Sequence, residues 1–175
     1  MDISFRPITP EDAPQIVRWL REEDVTRWWW DIAGKSDEEL ADEWTTKALN
    51  IEQKEFRYII VVDGNEIGNI QVTVLKNYPD YEAEVDIPNA AGVDVFIGES
   101  EWRNRGVGTL VVRQFVDEIV FTMPGIETCI IDPEPENTRA IRAYEKAGFR
   151  HVRYYHSAED NAEVYLMRRE RLAIA

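Results

Sequence analysis

The chain has 175 residues, 44% hydrophobic and 31% charged, and its 34 acids against 20 bases leave a formal net charge of −14. A chain this long buries roughly 70% of the surface its unfolded form exposes, so a single domain over 1–175 is expected and disorder is not. Acidity argues against nucleic-acid binding, the apolar runs fall far short of the ~20 residues of a membrane span, and the lone Cys129 admits no internal disulfide.

In chain order, "ISFRPI" (Ile3 to Ile8) alternates as a strand does. The N-terminal "MDISFRPIT" has no apolar secretory core, so a cytoplasmic protein is expected. Thr9, Pro10 and Asp12 have the pattern of a helix start, with a capping residue, a proline at the first helical position and a capping-box acid. "DVTRWWWD" then brings three adjacent tryptophans, Trp28, Trp29 and Trp30, which cannot all face inward. Ser36 with Glu39 repeats the capping pattern before a second helix that runs to about Leu49. Two β-branched runs around Asp63-Gly64-Asn65 predict a hairpin from Phe56 to Leu75. The acidic "KNYPDYEAEVDIPNAAG" reads as a loop or edge excursion, and "GVDVFIG" (Gly92 to Gly98) as a strand. Apolar spacing predicts a helix from Val107 to Phe121. A short strand follows at Thr128 to Asp132, then a helix from about Asn137 to Ala147 stopped by Gly148, and two strands around "HVRYYH" and "EVYLMRR". The order β-α-α-β-β-β-α-β-α-β-β is that of a mixed α/β or α+β domain.

Two features carry chemistry. "EWRNRGVGT" (Glu101 to Thr109) places two arginines and two glycines where a strand gives way to a helix. The unpaired N–H groups and dipole of a helix N-terminus attract anions, Gly106 and Gly108 let a phosphate come close, and Arg103 and Arg105 add charge. The spacing is neither that of a P-loop nor that of a dinucleotide fingerprint; a plain strand-to-helix turn with surface arginines is the alternative. The second feature is local acidity. Between Lys76 and Glu101 stand Asp80, Glu82, Glu84, Asp86, Asp94, Glu99 and Glu101, with Lys76 the only base. Such clustering suits a cationic ligand as well as plain solubility. Asp94 lies in an apolar strand, where a carboxylate must either pair or work. His151 and His156 have no triad or metal spacing, no metal is expected, and Cys129 between apolar neighbours reads as packing.

R-x-x-G-x-G (Arg103 to Gly108) followed by N-x-x-A-x-x-x-Y-x-x-x-G-F (Asn137 to Phe149) resembles the GCN5-related N-acetyltransferase (GNAT) family. The tryptophan pair, "GVD", "GVGT", the "DP" turn, "YEKAGF" and the final "VY" resemble, more narrowly, the type Ib aminoglycoside 6′-N-acetyltransferases. The resemblance implies a central, mostly antiparallel, splayed sheet flanked by helices, with acetyl-CoA as cosubstrate. It implies that the acyl-pantetheine arm lies along Val95, Phe96 and Ile97. The pyrophosphate would sit at Arg103, Arg105, Gly106, Val107, Gly108 and Thr109, with Asn137 also at the cofactor. It implies Asp94 beside the accepting amine and Tyr144 as the group that protonates the leaving thiolate. Trp28, Trp29, Asp80, Asp94, Asp132 and Asp160 would line the acceptor. The acceptor implied is a cationic small molecule, with no nucleic acid or membrane partner, and the protein a monomer or homodimer. The loop departs from the type Ib pattern in its extra arginines, and the acidic insertion in residue order, which leaves Asp80, Tyr81 and Glu82 without settled roles. Relatives acting on siderophore precursors or polyamines share much of this pattern. A non-catalytic acyl-CoA sensor would need neither Asp94 nor Tyr144.

Overall fold

The computed structural model describes residues 1–29 and 32–172. Trp30 lies outside the described residues. The chain groups into two compact units, Met1–Gln71 with Val95–Arg105, and Val72–Asp94 with Gly106 onward. Strands β3 (Asn65–Val74) and β4 (Ala90–Ile97) contribute to both. The fold is mixed, with a central, mostly antiparallel sheet flanked by helices, as expected.

In the first unit the strand order is β1-β2-β3-β4. β1 (Ile3–Pro7) pairs antiparallel with β2 (Glu55–Val62), from Ile3↔Val62 to Pro7↔Tyr58. The β2–β3 turn puts Asp63 and Gly64 at φ of 48° and 79°, the left-handed pair that a two-residue hairpin requires. The first helix starts later than its signals suggest. Pro10–Asp12 forms a 3₁₀ turn, and α1 runs over Ala13–Leu20. Asp12 still acts as the capping acid, accepting from the Thr9 N–H at 2.7 Å. A one-turn α2 (Glu23–Thr26) follows, which no sequence signal announced. α3 (Asp37–Leu49) begins on the expected capping box, in which Ser36 Oγ accepts from the Glu39 N–H and the Glu39 carboxylate from the Ser36 N–H. α1 buries Ile16, Val17, Trp19 and Leu20 against Leu40 and Trp44 of α3, Ile59 of β2 and Phe96 of β4. Each such side chain contributes about 1.5–3 kcal/mol on leaving water.

In the second unit the order is β3-β4-β5-β7-β6. β5 (Thr128–Ile131) pairs parallel with β4 from Ala90↔Thr128 to Gly92↔Ile130. β7 (Ala162–Glu170) runs antiparallel to both β5 and β6 (Arg150–Ser157), with a register shift in β6 between His151 and Arg153. The acidic segment expected to be a loop contains a helix, α4 (Pro79–Val85). Proline at its first turn suits a helix start, and the i,i+4 pair Tyr81 and Val85 forms its inner face. The acids at 80, 82 and 84 hide that stripe in the sequence. α5 (Val107–Glu118) ends a turn earlier than predicted, in a 3₁₀ turn at Val120–Thr122. There the Thr122 hydroxyl donates to the Ile119 carbonyl at 2.8 Å, competing with the helical ladder. α6 (Thr138–Lys146) begins on Asn137, and Gly148 beyond its end has φ 101°. No helix among the described residues is long and apolar enough to cross a membrane.

Candidate active site

The N-terminus of α5 follows a glycine turn. Gly106 precedes it at φ 78°, a left-handed turn that a side chain would strain. The N–H groups of Val107, Gly108 and Thr109 open the helix, which supplies no internal acceptors for them. A Cβ at Gly108 would meet no protein atom within 4 Å, and its φ is not positive. The fold therefore does not require glycine there, whereas close approach of a bulky anion would. The side chains around this turn have other tasks. Val107 is fully buried, and Thr109 Oγ1 donates to the Ala143 carbonyl at 3.3 Å, tying α5 to α6. Asn137 caps α6, its side-chain oxygen accepting from the Ala140 N–H at 3.2 Å. The side chains of Val107, Thr109 and Asn137 are thus engaged within the fold.

The second unit also gathers acids and phenols at the strand ends. Asp132 follows directly on β5, and its Oδ2 accepts from Tyr155 Oη at 2.6 Å and from Tyr81 Oη at 3.2 Å. Burial pushes the Asp132 carboxyl above the usual carboxylate range; the Tyr155 hydrogen bond opposes this, the Asp160 charge adds to it and the Tyr81 hydrogen bond opposes it. Tyr144 of α6, its ring tilted against Phe149 at 6.4 Å, has its phenol pushed well up, first by burial, then by the charges of Asp94 and Asp132. Burial likewise raises Tyr81, with Asp132, Tyr155 and Asp94 adding to the effect. Tyr144 thus lies within electrostatic reach of both Asp94 and Asp132, and the phenols of Tyr81, Tyr144 and Tyr155 keep their protons at neutral pH. Asp160, in the β6–β7 turn, accepts from Ser157 Oγ at 3.0 Å and bears on Asp132 by its charge. Asp80 is exposed at the start of α4, and the residue of that helix turned toward Asp132 is its neighbour Tyr81.

The remaining expected residues belong to the first unit. Trp29 packs edge-on against Phe96 at 5.0 Å, and Phe96 is itself buried, so Phe96 can offer a ligand only its backbone. Trp28 is half-buried, with the Arg27 guanidinium over its ring at 4.8 Å. Val95 and Ile97 are half-buried on β4. The Arg103 side chain is fully engaged: it donates to the carbonyls of Ile97 at 2.9 Å and Gly98 at 2.6 Å and pairs with Glu22 and Asp24 at 3.4 Å each. Arg103 therefore shapes the loop, and the exposed Arg105 keeps its guanidinium in solvent. Tyr81 and Tyr155 are the residues the sequence reading did not assign. Strand alternation beyond the β6 bulge puts Tyr155 on the same face as buried Ser157, a usable signal, but its partner Asp132 lies 23 positions away.

The described residues contain no cluster of three or more His, Cys, Asp or Glu able to hold a metal ion. Cys129 is buried and its thiol is pushed far up, mainly by burial. His151 stacks on Tyr165 at 3.9 Å, at the opposite end of β6 from Tyr155.

Several solved structures and one characterised relative are similar to this chain. The solved structure of AAC(6′)-Ib with paromomycin and acetyl-CoA has a TM-score of 0.86 and 27% identity, covering 98% of this chain and 94% of that one. AAC(6′)-Ib with coenzyme A and kanamycin gives a TM-score of 0.84 at 27% identity, covering 97% and 95%. The type 1 aminoglycoside N(6′)-acetyltransferase of Klebsiella pneumoniae is 30% identical over 149 residues, 84% of this chain and 73% of that protein. Residues 9–156 match the family model for the acetyltransferase (GNAT) domain, and the chain belongs to the GNAT superfamily of acetyltransferases.

Proposed function

We propose that the chain forms one N-acetyltransferase domain over 1–175 that transfers the acetyl group of acetyl-CoA to a primary amine of a polycationic aminoglycoside, at its 6′ position. The cluster of Asp94, Asp132 and Tyr144 carries this reading, because it joins acids that attract a cation to a phenol that holds a proton. Acetyl-CoA, when bound, supplies an activated thioester carbon and a thiolate leaving group. The N–H groups of Val107, Gly108 and Thr109, following Gly106, hold its pyrophosphate, with Arg105 adding charge and Arg103 fixing the loop. The backbone of Val95, Phe96 and Ile97 orients the acyl-pantetheine arm, and Asn137, which caps α6, also serves the cofactor.

An amine is mostly protonated at neutral pH, so one proton must leave before attack. Asp94 accepts it or hands it to solvent. Asp132 and Asp160, with Asp80 at the rim, hold the other ammonium groups, while Trp28 and Trp29 offer ring faces to the sugars, a cation on such a face gaining about 0.5–2 kcal/mol. Tyr144 gives its proton to the departing sulfur. A bound cation also offsets the Asp94 and Asp132 charges that hold the Tyr144 phenol up, so the phenol becomes a better acid once the acceptor is in place. Purified protein with acetyl-CoA and kanamycin or tobramycin should release free CoA thiol, and NMR of the product should locate the acetyl group on the 6′ amine. No release across a panel of aminoglycosides overturns the acceptor and leaves the family assignment standing.

A further inference from the structure

The Asp132 carboxylate is held by two phenols. Tyr155 reaches it from β6 at 2.6 Å and Tyr81 from α4 at 3.2 Å, and both donate to the same oxygen, Oδ2. Two phenols on one oxygen hold the carboxylate, a backbone N–H also donates to it, and no other side chain of the described residues is seen to donate to it. The two phenols are themselves held. Tyr81 and Tyr155 pack on the core of Leu75, Val85 and Ile130, and the Arg153 side chain donates to the Glu84 and Val85 carbonyls at 2.7 and 2.9 Å, joining α4 to β6. An acid whose only task is surface charge needs no such support.

We propose that Tyr155, assisted by Tyr81, is a positioning residue that holds the Asp132 carboxylate in one orientation, with Oδ1 presented to a cationic group of the acceptor. The proposal rests on the function proposed above for its acceptor, but the clamp itself is a property of the free protein. Hydrogen bonds to an ionised carboxylate favour the charged form, so the clamp works against the burial that pushes Asp132 up. The other ionisable groups facing this pair are Glu84 of α4, Asp94 of β4, Tyr144 of α6, Asp160 of the β6–β7 turn, and Arg153, whose guanidinium lies 5.7 Å from the Tyr155 ring centre. None of them is changed by removing the Tyr155 hydroxyl.

The test uses the full chain and the variants Tyr155→Phe and Tyr81→Phe, with Asp132→Asn to assign the Asp132 signal in a carboxyl-carbon NMR titration. The titration midpoint of Asp132 is expected to move to higher pH in Tyr155→Phe, and by less in Tyr81→Phe, whose hydrogen bond is longer. In kinetics with kanamycin, Tyr155→Phe is expected to raise the acceptor KM about tenfold, the loss of roughly one hydrogen bond to a charged group. The kcat and the acetyl-CoA KM should stay near wild type, and the alkaline shift should reappear in the pH dependence of the acceptor KM. An unmoved Asp132 midpoint overturns the clamp. A moved midpoint with wild-type acceptor KM and pH profile overturns its role in binding. A wild-type protein that acetylates no aminoglycoside refutes the proposed acceptor instead, and the NMR titration still decides the clamp.

Discussion

Replacing Gly108 by alanine should separate folding from cofactor binding. Gly108 is the second residue of α5, its φ is not positive, and an added Cβ would meet no protein atom within 4 Å. Alanine is favoured over glycine within a helix by about 0.5–1 kcal/mol. At roughly 2–4 °C per kcal/mol for a chain of this size, Gly108→Ala should hold or raise Tm by ~1–4 °C. The same methyl group projects beside the N–H groups proposed to hold the pyrophosphate. Loss of one hydrogen bond to a charged group costs about 1.5–3 kcal/mol, so the acetyl-CoA KM should rise roughly 10- to 100-fold. Gly106→Ala is the contrasting case. At φ 78° it forces a side chain into the left-handed region, at a cost of about 1–2 kcal/mol, so Tm should fall. Differential scanning fluorimetry gives the stabilities, and titration calorimetry with CoA gives binding free of turnover. A Gly108→Ala protein that melts as the wild type does and binds CoA equally well would refute the backbone seat.

Three further outcomes are expected. Tyr144→Phe should lower kcat by about 10² while leaving CoA affinity near wild type; unchanged turnover would remove the phenol from the proton path. Asp12 is held below the usual carboxylate range by its hydrogen bonds from Arg6, then from the Thr9 N–H. Its folded value is depressed, so its contribution is full above the unfolded value and fades as pH falls through the folded one. Asp12→Asn should cost about 1–3 kcal/mol in urea unfolding at pH 7 and progressively less as the pH falls below the unfolded value; an equal loss across the acid range would refute the linkage. Cys129 is 0% exposed and its thiol is raised by burial, so a colorimetric disulfide reagent should leave the native protein unlabelled and react once urea is added.

Local signals in the sequence were informative wherever short-range chemistry decided the outcome. Ser36 and Glu39 form the capping box their spacing predicts, Asp63-Gly64 forms the left-handed turn, and Gly148 closes α6. They were less informative where packing decided. In α4 the inward pair Tyr81 and Val85 lies among acids, so a charge-rich segment read as a loop. The first helix gave up its opening turn to a 3₁₀ geometry in which Asp12 also serves Arg6. Arg103 shows the same limit at the site. Its position in the motif made it a candidate for the cofactor, and only the fold shows that its guanidinium also holds the Ile97 and Gly98 carbonyls.

By itself the sequence determined the order of the strands and of α1, α3, α5 and α6, the glycine turn before α5, the acids at 94, 132 and 160, and the tyrosine at 144. These follow from residue type and spacing along the chain. Only the tertiary structure decided which hydroxyls Asp132 receives and which phenols its charge bears on. Tyr81 and Tyr155 stand 51 positions before and 23 after their shared carboxylate. The packing of α4 and β6 on one core is what brings them together, and no periodicity in the chain encodes a contact of that range.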